Sequence, residues 1–253
     1  MQDRMKTCRL SYAIMTHNEE LEFSYLMEKI QPFLNDDREI VVVDDFSGFT
    51  MVEMIKSHRV KFFQRSLAKD FSAQRNFTKS KCTGQFIFAI DPDELPSSSL
   101  LTALPAILDQ MERDRLDGCI VPRFNKLVEL DKVFDPRTID VSKIDLSSSL
   151  AEDQLRIYRN SPDIVWINPL HEKLTGLRRV LRLPSTPFYG IIHVKTKQRA
   201  KTQIAFYDSI GSGLGNIRID IKFRVIKALR RIGLLSIVKR IARPQPIEVK
   251  FRE

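Results

Sequence analysis

An apolar run, Phe86-Ile87-Phe88-Ala89-Ile90, leads directly into Asp91-Pro92-Asp93-Glu94. An unbroken stretch of this length fits a strand buried on both faces of a parallel sheet. Carboxylates at the end of such a strand call for a positive partner, because open α/β sheets collect ligands beyond the carboxyl ends of their strands. Asp91 and Asp93 are two residues apart, so an extended exit puts both side chains on one side. Pro92 stiffens that exit by fixing its own φ and biasing Asp91 toward extended backbone. Two hard oxygen donors there suit Mg²⁺ or Mn²⁺ shared with substrate phosphates. The plainer alternative is a solvated acidic turn.

Two earlier segments end in the same way. Residues 9–15 form a predicted strand ending at Thr16-His17-Asn18-Glu19, and residues 39–43 form a second ending at Asp44-Asp45. Helices are predicted over 20–34, over 50–58 with Thr50 as cap, and over 70–81 with Asp70 as cap. Residues 60–63 supply another strand. Strands alternating with helices imply right-handed βαβ units and a parallel sheet, so all three acidic strand ends share one rim. After Glu94 come a helix over 100–113, a strand over 118–124 and a loop-rich insertion over 131–150. Further strands are predicted over 154–158 and 164–167, joined by a hairpin turn at Asn160-Ser161-Pro162-Asp163. A strand over 189–195 and a helix through Tyr207 complete this part.

The rim suits a nucleoside diphosphate sugar. Base and ribose offer donors to Asp and Glu, while the diphosphate needs cations. Neither G-x-G-x-x-G nor G-x-x-x-x-G-K-[ST] occurs, so metal, Arg and Lys must meet the phosphate charge. Gln74 and Arg75 lie one turn into a helix whose N-terminus faces the same rim; for Arg75 the structural alternative is a salt bridge to one of the aspartates.

At this point the sequence resembles the GT-A glycosyltransferases of family 2. The resemblance is carried by Ile14-Met15-Thr16-His17-Asn18-Glu19-Glu20, by Glu39 to Ser47, by Phe71-Ser72-Ala73-Gln74-Arg75-Asn76 and by Asp91-Pro92-Asp93-Glu94. A second stretch, Asp153-Gln154-Leu155-Arg156-Ile157-Tyr158-Arg159-Asn160 with Leu170-His171-Glu172-Lys173-Leu174, is similar to a subgroup acting in surface-polysaccharide and lipopolysaccharide-core assembly. The fold implied is α/β, a mostly parallel central sheet flanked by helices. Residues 1–200 would form the glycosyltransferase domain, with a nucleotide half over 8–100 and an acceptor half over 101–200. A helical basic tail would follow over 201–253.

The resemblance implies a metal-assisted, inverting transfer from a nucleotide-diphosphate sugar, a UDP-sugar favoured, to a glycan or lipid-linked hydroxyl. Thr16, Asn18 and Glu19 would line the nucleoside pocket, with Asp44 or Asp45 on the base and Asp91 facing the ribose. Gln74, Arg75 and Arg156 complete the donor set. Asp93 would bind the metal, Mn²⁺ or Mg²⁺, with Asp91 and His193 as further ligands. The acceptor proton needs a base, for which Glu152, Asp153 and Glu172 all stand open, and His171 could orient it or touch the diphosphate. The turn after the paired aspartates, Phe46-Ser47-Gly48-Phe49, departs from the family's glycine-rich pattern.

Composition bounds the alternatives. Three widely spaced cysteines (Cys8, Cys82, Cys119) in 253 residues form neither a disulfide framework nor a zinc pattern, and suit a reducing, cytoplasmic setting. Residues 222–253 hold ten Lys and Arg against two Glu, so the tail carries eight of the nine net positive charges. Apolar residues recur there every three positions, as in a basic amphipathic helix that could lie on the anionic inner face of a membrane or pack on the main domain. Nucleic-acid binding is not expected, since only Phe223 and Phe251 interleave those charges. A nucleotidyltransferase would want a glycine-rich basic loop after the first strand, which Thr16-His17-Asn18-Glu19 does not supply.

Overall fold

The computed structural model describes residues 8–128 and 151–196. The insertion over 131–150, the helix through Tyr207 and the basic tail fall outside the described residues. Four parallel strands open the chain: β1 (Leu10–Thr16), β2 (Arg38–Asp44), β3 (Lys61–Gln64) and β4 (Phe86–Ala89). They stand in the order β3-β2-β1-β4, joined by α1 (Glu20–Ile30), α2 (Phe49–Lys56) and α3 (Phe71–Lys81). The strands sit in the centre because they are apolar on both faces: Ile40, Val41, Val42 and Val43 are all buried, as are Phe86, Ile87 and Phe88. Burying each such side chain contributes on the order of 1.5–3 kcal/mol.

Beyond β4 the sheet changes direction. β5 (Glu94–Pro96), α4 (Ser98–Arg113) and β6 (Gly118–Val128) lead to β7 (Ala151–Arg159), which lies antiparallel between β4 and β6. A short hairpin, β8 (Val165–Ile167) and β9 (Lys173–Thr175), forms its own two-stranded sheet. Then β10 (Val180–Arg182) pairs parallel to β6, and β11 (Ile191–Thr196) pairs antiparallel to β5. The fold class is as the sequence implied, with a parallel half carrying the acidic ends and an antiparallel half beside it.

Three local expectations need correction. α2 begins at Phe49 with Gly48 as its cap residue, and Thr50 lies inside the helix. The Gly48 N–H is held by Asn18 Oδ1 at 2.8 Å, so the cap is supplied from another loop. Asn160 to Asp163 is not a hairpin turn, because β7 and β8 do not pair; the chain leaves the main sheet there and builds the separate β8–β9 hairpin. Finally, the exit from β4 is not extended. The Glu94 N–H donates to the Asp91 carbonyl at 3.0 Å, closing a β-turn with Pro92 at its second position. The predicted cap of α3 is present, with Asp70 Oδ1 accepting from the Ala73 N–H at 2.9 Å.

Candidate active site

The turn at Asp91-Pro92-Asp93-Glu94 sends its carboxylates to different partners. Asp91 faces α3, where Arg75 Nη2 lies 2.8 Å from Oδ1, and Arg156 Nη2 on β7 approaches Oδ2 at 3.3 Å. Glu94, wholly buried, turns back: its Oε2 accepts from the Asp91 N–H at 3.2 Å while Oε1 meets both Arg156 Nη2 and Arg123 Nη1. Arg123 on β6 continues to Glu152 Oε2 at 2.8 Å. In the other direction Arg75 Nε donates to Glu172 Oε1 at 3.2 Å. The result is one alternating chain, Glu172–Arg75–Asp91–Arg156–Glu94–Arg123–Glu152, running from the β8–β9 loop through the acidic turn to the start of β7.

Burial shapes the charge states in this chain. Desolvation works against the ionised form of Asp91, but the Arg75 and Arg156 guanidiniums outweigh it and hold that carboxyl well below the usual range. Burial likewise opposes the charge on Arg75, and Asp91, Glu172 and Glu94 reverse it, pushing its pKa up. Arg123 is raised in the same way by Glu94 and Glu152 against the cost of burial. Such a network is held only while every partner is present, since an uncompensated buried charge is costly. Arg75 Nη1, Arg156 Nε and Arg123 Nε are buried without a hydrogen-bond partner among the described residues.

Asp93 stands apart from that chain. Its Oδ2 lies 3.0 Å from His193 Nε2, and His193 Nδ1 lies 2.9 Å from Asn125 Oδ1. The register of β11 against β5 explains the meeting, for His193 is paired directly with Glu94. Of the expected metal ligands, Asp93 and His193 are therefore together, whereas Asp91 is engaged by two guanidiniums. Among the described residues, no group of three His, Cys, Asp or Glu is placed to hold a metal ion. Asp93 and His193 form a two-donor set, which fits a cation that takes its remaining ligands from water and phosphate oxygens.

At the end of β2 the paired aspartates separate. Asp44 is fully buried and spent on the turn that follows it: Oδ2 accepts from the Ser47 N–H at 2.9 Å and from Gln64 Nε2 at 3.1 Å, and Oδ1 accepts from the Ser47 hydroxyl. Asp45 Oδ1 accepts from the Leu67 N–H at 2.8 Å, and a quarter of its side chain stays exposed. His17 Nδ1 lies 2.7 Å from the Asp45 carbonyl, and Asn18 Nδ2 lies 3.1 Å from His17 Nε2. This geometry fits an imidazole that donates at Nδ1 and accepts at Nε2. Thr16 is buried with its hydroxyl 3.4 Å from Glu19 Oε2. Asn18 and Phe46 both have positive φ (49° each), and Phe46 and Phe49 are exposed beside this rim.

Other expected residues have structural partners. Both amide atoms of Gln74 are engaged by Arg65: Oε1 accepts from Nη1 at 2.6 Å and Nε2 donates to its carbonyl at 2.8 Å. The three candidate bases have different surroundings. Asp153 is on the opposite face of β7 from Glu152 and Arg156, nearly half exposed, and pairs with Arg182. Glu152 is tied to Arg123. Glu172 sits against Arg75, its Oε1 used and its Oε2 without a hydrogen bond among the described residues. His171 precedes it in left-handed backbone, φ 56°.

Sequence reasoning missed Arg123 and Asn125, which lie on β6, and gave no role to Asn76 or Trp166. One signal existed for Arg123: a charged residue inside an otherwise apolar strand needs a buried partner.

The family model described as Glycosyl transferase family 2 matches residues 11–180. No curated protein sequence matches the chain significantly. Among solved structures it is similar to TarS of S. aureus, residues 1–349, at 16% identity and TM-score 0.48, over 74% of this chain and 60% of that one. The same fragment in complex with UDP-GlcNAc gives TM-score 0.49 at 16% identity, over 74% of this chain and 58% of that one. The mannosyltransferase PcManGT from Pyrobaculum calidifontis, in complex with GDP-Man and Mn²⁺, gives 19% identity and TM-score 0.37, over 48% of this chain and 36% of that one. The chain thus spans about 60% of the length of the TarS fragment.

Proposed function

The chain belongs to glycosyl transferase family 2, and from that premise we propose that it transfers a sugar from a nucleoside diphosphate sugar to a hydroxyl acceptor with inversion. The observation that carries this reading is Arg75, whose guanidinium joins Asp91 on the strand-end turn to Glu172 on the β8–β9 loop. One cation thereby fixes a donor-side and an acceptor-side carboxylate in a single arrangement.

In the reaction Glu172 accepts the acceptor hydroxyl proton on Oε2. The acceptor oxygen bonds to the anomeric carbon from one face, the bond from that carbon to the diphosphate oxygen breaks on the other, and the nucleoside diphosphate leaves with that electron pair. Asp45, with Thr16, Asn18 and Glu19 around it, holds the nucleoside. Arg75 and Arg156 keep Asp91 ionised and supply positive potential beside the diphosphate. Asp93 and His193 would hold a divalent cation, which when bound neutralises charge on the departing diphosphate.

The acceptor in this reading is a glycan or lipid-linked saccharide of a surface polysaccharide, used at the cytoplasmic face of a membrane. No helix of the described residues is long and apolar enough to cross a membrane. The ten basic residues of 222–253 would hold the tail against anionic lipid, each near the surface adding about 1 kcal/mol. The test is a thermal-shift panel of UDP-, GDP-, CMP- and dTDP-sugars with and without Mn²⁺. One diphosphate donor should stabilise the protein in a metal-dependent manner, and Asp93→Ala should abolish the effect. Equal shifts in that variant, or stabilisation by nucleic acid alone, would overturn the proposal.

A further inference from the structure

The β8–β9 hairpin carries Glu172, yet it belongs to no part of the main sheet, so something else must hold it in place. Trp166 packs on Tyr158 of β7, and α3 supplies the backbone anchors. Asn76 clasps the hairpin backbone through both atoms of its amide: the Trp166 N–H donates to Oδ1 at 2.9 Å, and Nδ2 donates to the Trp166 carbonyl at 2.8 Å. A side-chain amide thus replaces the neighbouring strand that β8 lacks on this edge. The Phe71 N–H, at the start of α3, donates to the Pro169 carbonyl at 2.9 Å and fixes the loop two residues past β8. The Trp166 indole lies under the Arg75 guanidinium, 5.3 Å from ring centre to Cζ, and its Nε1 donates to the Tyr158 hydroxyl at 3.1 Å.

We infer that Asn76 is a positioning residue for the transfer reaction: by fixing Trp166 and hence the β8–β9 hairpin on α3, it sets Glu172 against Arg75. The inference rests on the reading of Glu172 as the base. Arg75 and Asn76 are consecutive in sequence, and they divide the work. Arg75 touches the carboxylate itself, and Asn76 touches only the backbone six residues before it. Releasing the Asn76 clasp would let the Asn168-to-Glu172 loop shift relative to the acidic turn, while Asp91, Arg156 and Asp45 keep their own contacts. The expected effect is on the chemical step and not on donor binding.

The chain contains a single tryptophan, and it is the residue that Asn76 holds, so docking of the hairpin can be read from Trp166 fluorescence in the full-length protein. Asn76→Ala should red-shift that emission and raise its quenching by acrylamide. Turnover is measured as nucleoside diphosphate release from a panel including UDP-GlcNAc and GDP-mannose. Asn76→Ala should lower kcat by tenfold or more and leave the donor KM within about twofold. In a Glu172→Gln background the same substitution should cost less than twofold, because there is no base left to misplace. Equal loss in both backgrounds, a parallel rise in donor KM, or an unchanged Trp166 signal would overturn the inference. If Glu172→Gln turns over normally, or no donor in the panel is turned over, the reading of the site itself fails and this inference with it.

Discussion

Replacing Arg75 by lysine keeps the charge and removes the geometry, which makes it the sharpest perturbation of the site. The guanidinium reaches Asp91 through Nη2 and Glu172 through Nε while its face lies on the Trp166 ring. One ammonium on a flexible stem can meet Asp91 or Glu172, not both in that fork. The loss comprises one hydrogen bond to a charged group, about 1.5–3 kcal/mol, and a stacked cation–π contact of about 0.5–2 kcal/mol. The Glu172 and Asp91 side chains are 19% and 28% exposed, so water recovers part of it. A net destabilisation of about 2–3 kcal/mol follows, against about 3–5 kcal/mol for Arg75→Met, where Glu172 loses its partner outright and Asp91 keeps only Arg156. Urea unfolding followed at Trp166 at neutral pH reads this region directly. If the lysine variant falls within about 0.5 kcal/mol of the wild type, as an unremarkable surface change would, or if methionine is no worse than lysine, the bridging role assigned to Arg75 is refuted.

Two of the candidate bases should behave oppositely: Glu172→Gln lowers nucleotide release by about 10²–10⁴-fold, while Asp153→Asn, on the far face of β7, changes it less than about twofold. Gly176 has φ +85°, and a Cβ there would lie 2.0 Å from the Asp163 carbonyl oxygen; Gly176→Ala should therefore displace the hairpin and destabilise the protein by at least about 2 kcal/mol, seen as a lower melting temperature with altered Trp166 emission. Asp91, whose folded pKa is depressed, contributes stability that is complete above about pH 4 and lost as pH falls through the folded value. In an acid titration the advantage of the wild type over Asp91→Asn should accordingly shrink only below that pH; an advantage that shrinks between pH 8 and 5 would contradict the assignment.

The parallel half of the fold was legible because its signals are local. Apolar runs with acidic ends announce β1, β2 and β4, and Asp70 three residues before an N–H it can accept from announces α3. The antiparallel half was legible in part: β6, β7, β8 and β11 were expected as strands, whereas β5, β9 and β10 have three residues each, too few for any periodicity, and the pairing depends on chain reversals that no short window contains. In the site, residue types were legible and partners only in part: Arg75 with an aspartate and Asp93 with His193 were expected, and the link from Arg75 to Glu172 was not. Asp91 and Asp93 look equivalent in sequence, yet the turn through Pro92, closed by the Glu94 N–H, sends one to Arg75 and the other to His193. Gln74 and Arg75 are adjacent on a helix, so they point in different directions, and only the second reaches the carboxylates.

The adjacent aspartates at the end of β2 have different duties. Asp44 is masonry: its oxygens are mortared into the turn at Ser47 and Gln64, and changing it should weaken every version of this protein whatever its donor. Asp45 keeps an open side, so its replacement should be tolerated by the fold and felt by the ligand. Mutating the two separately is the way to tell inheritance of the scaffold from inheritance of the reaction.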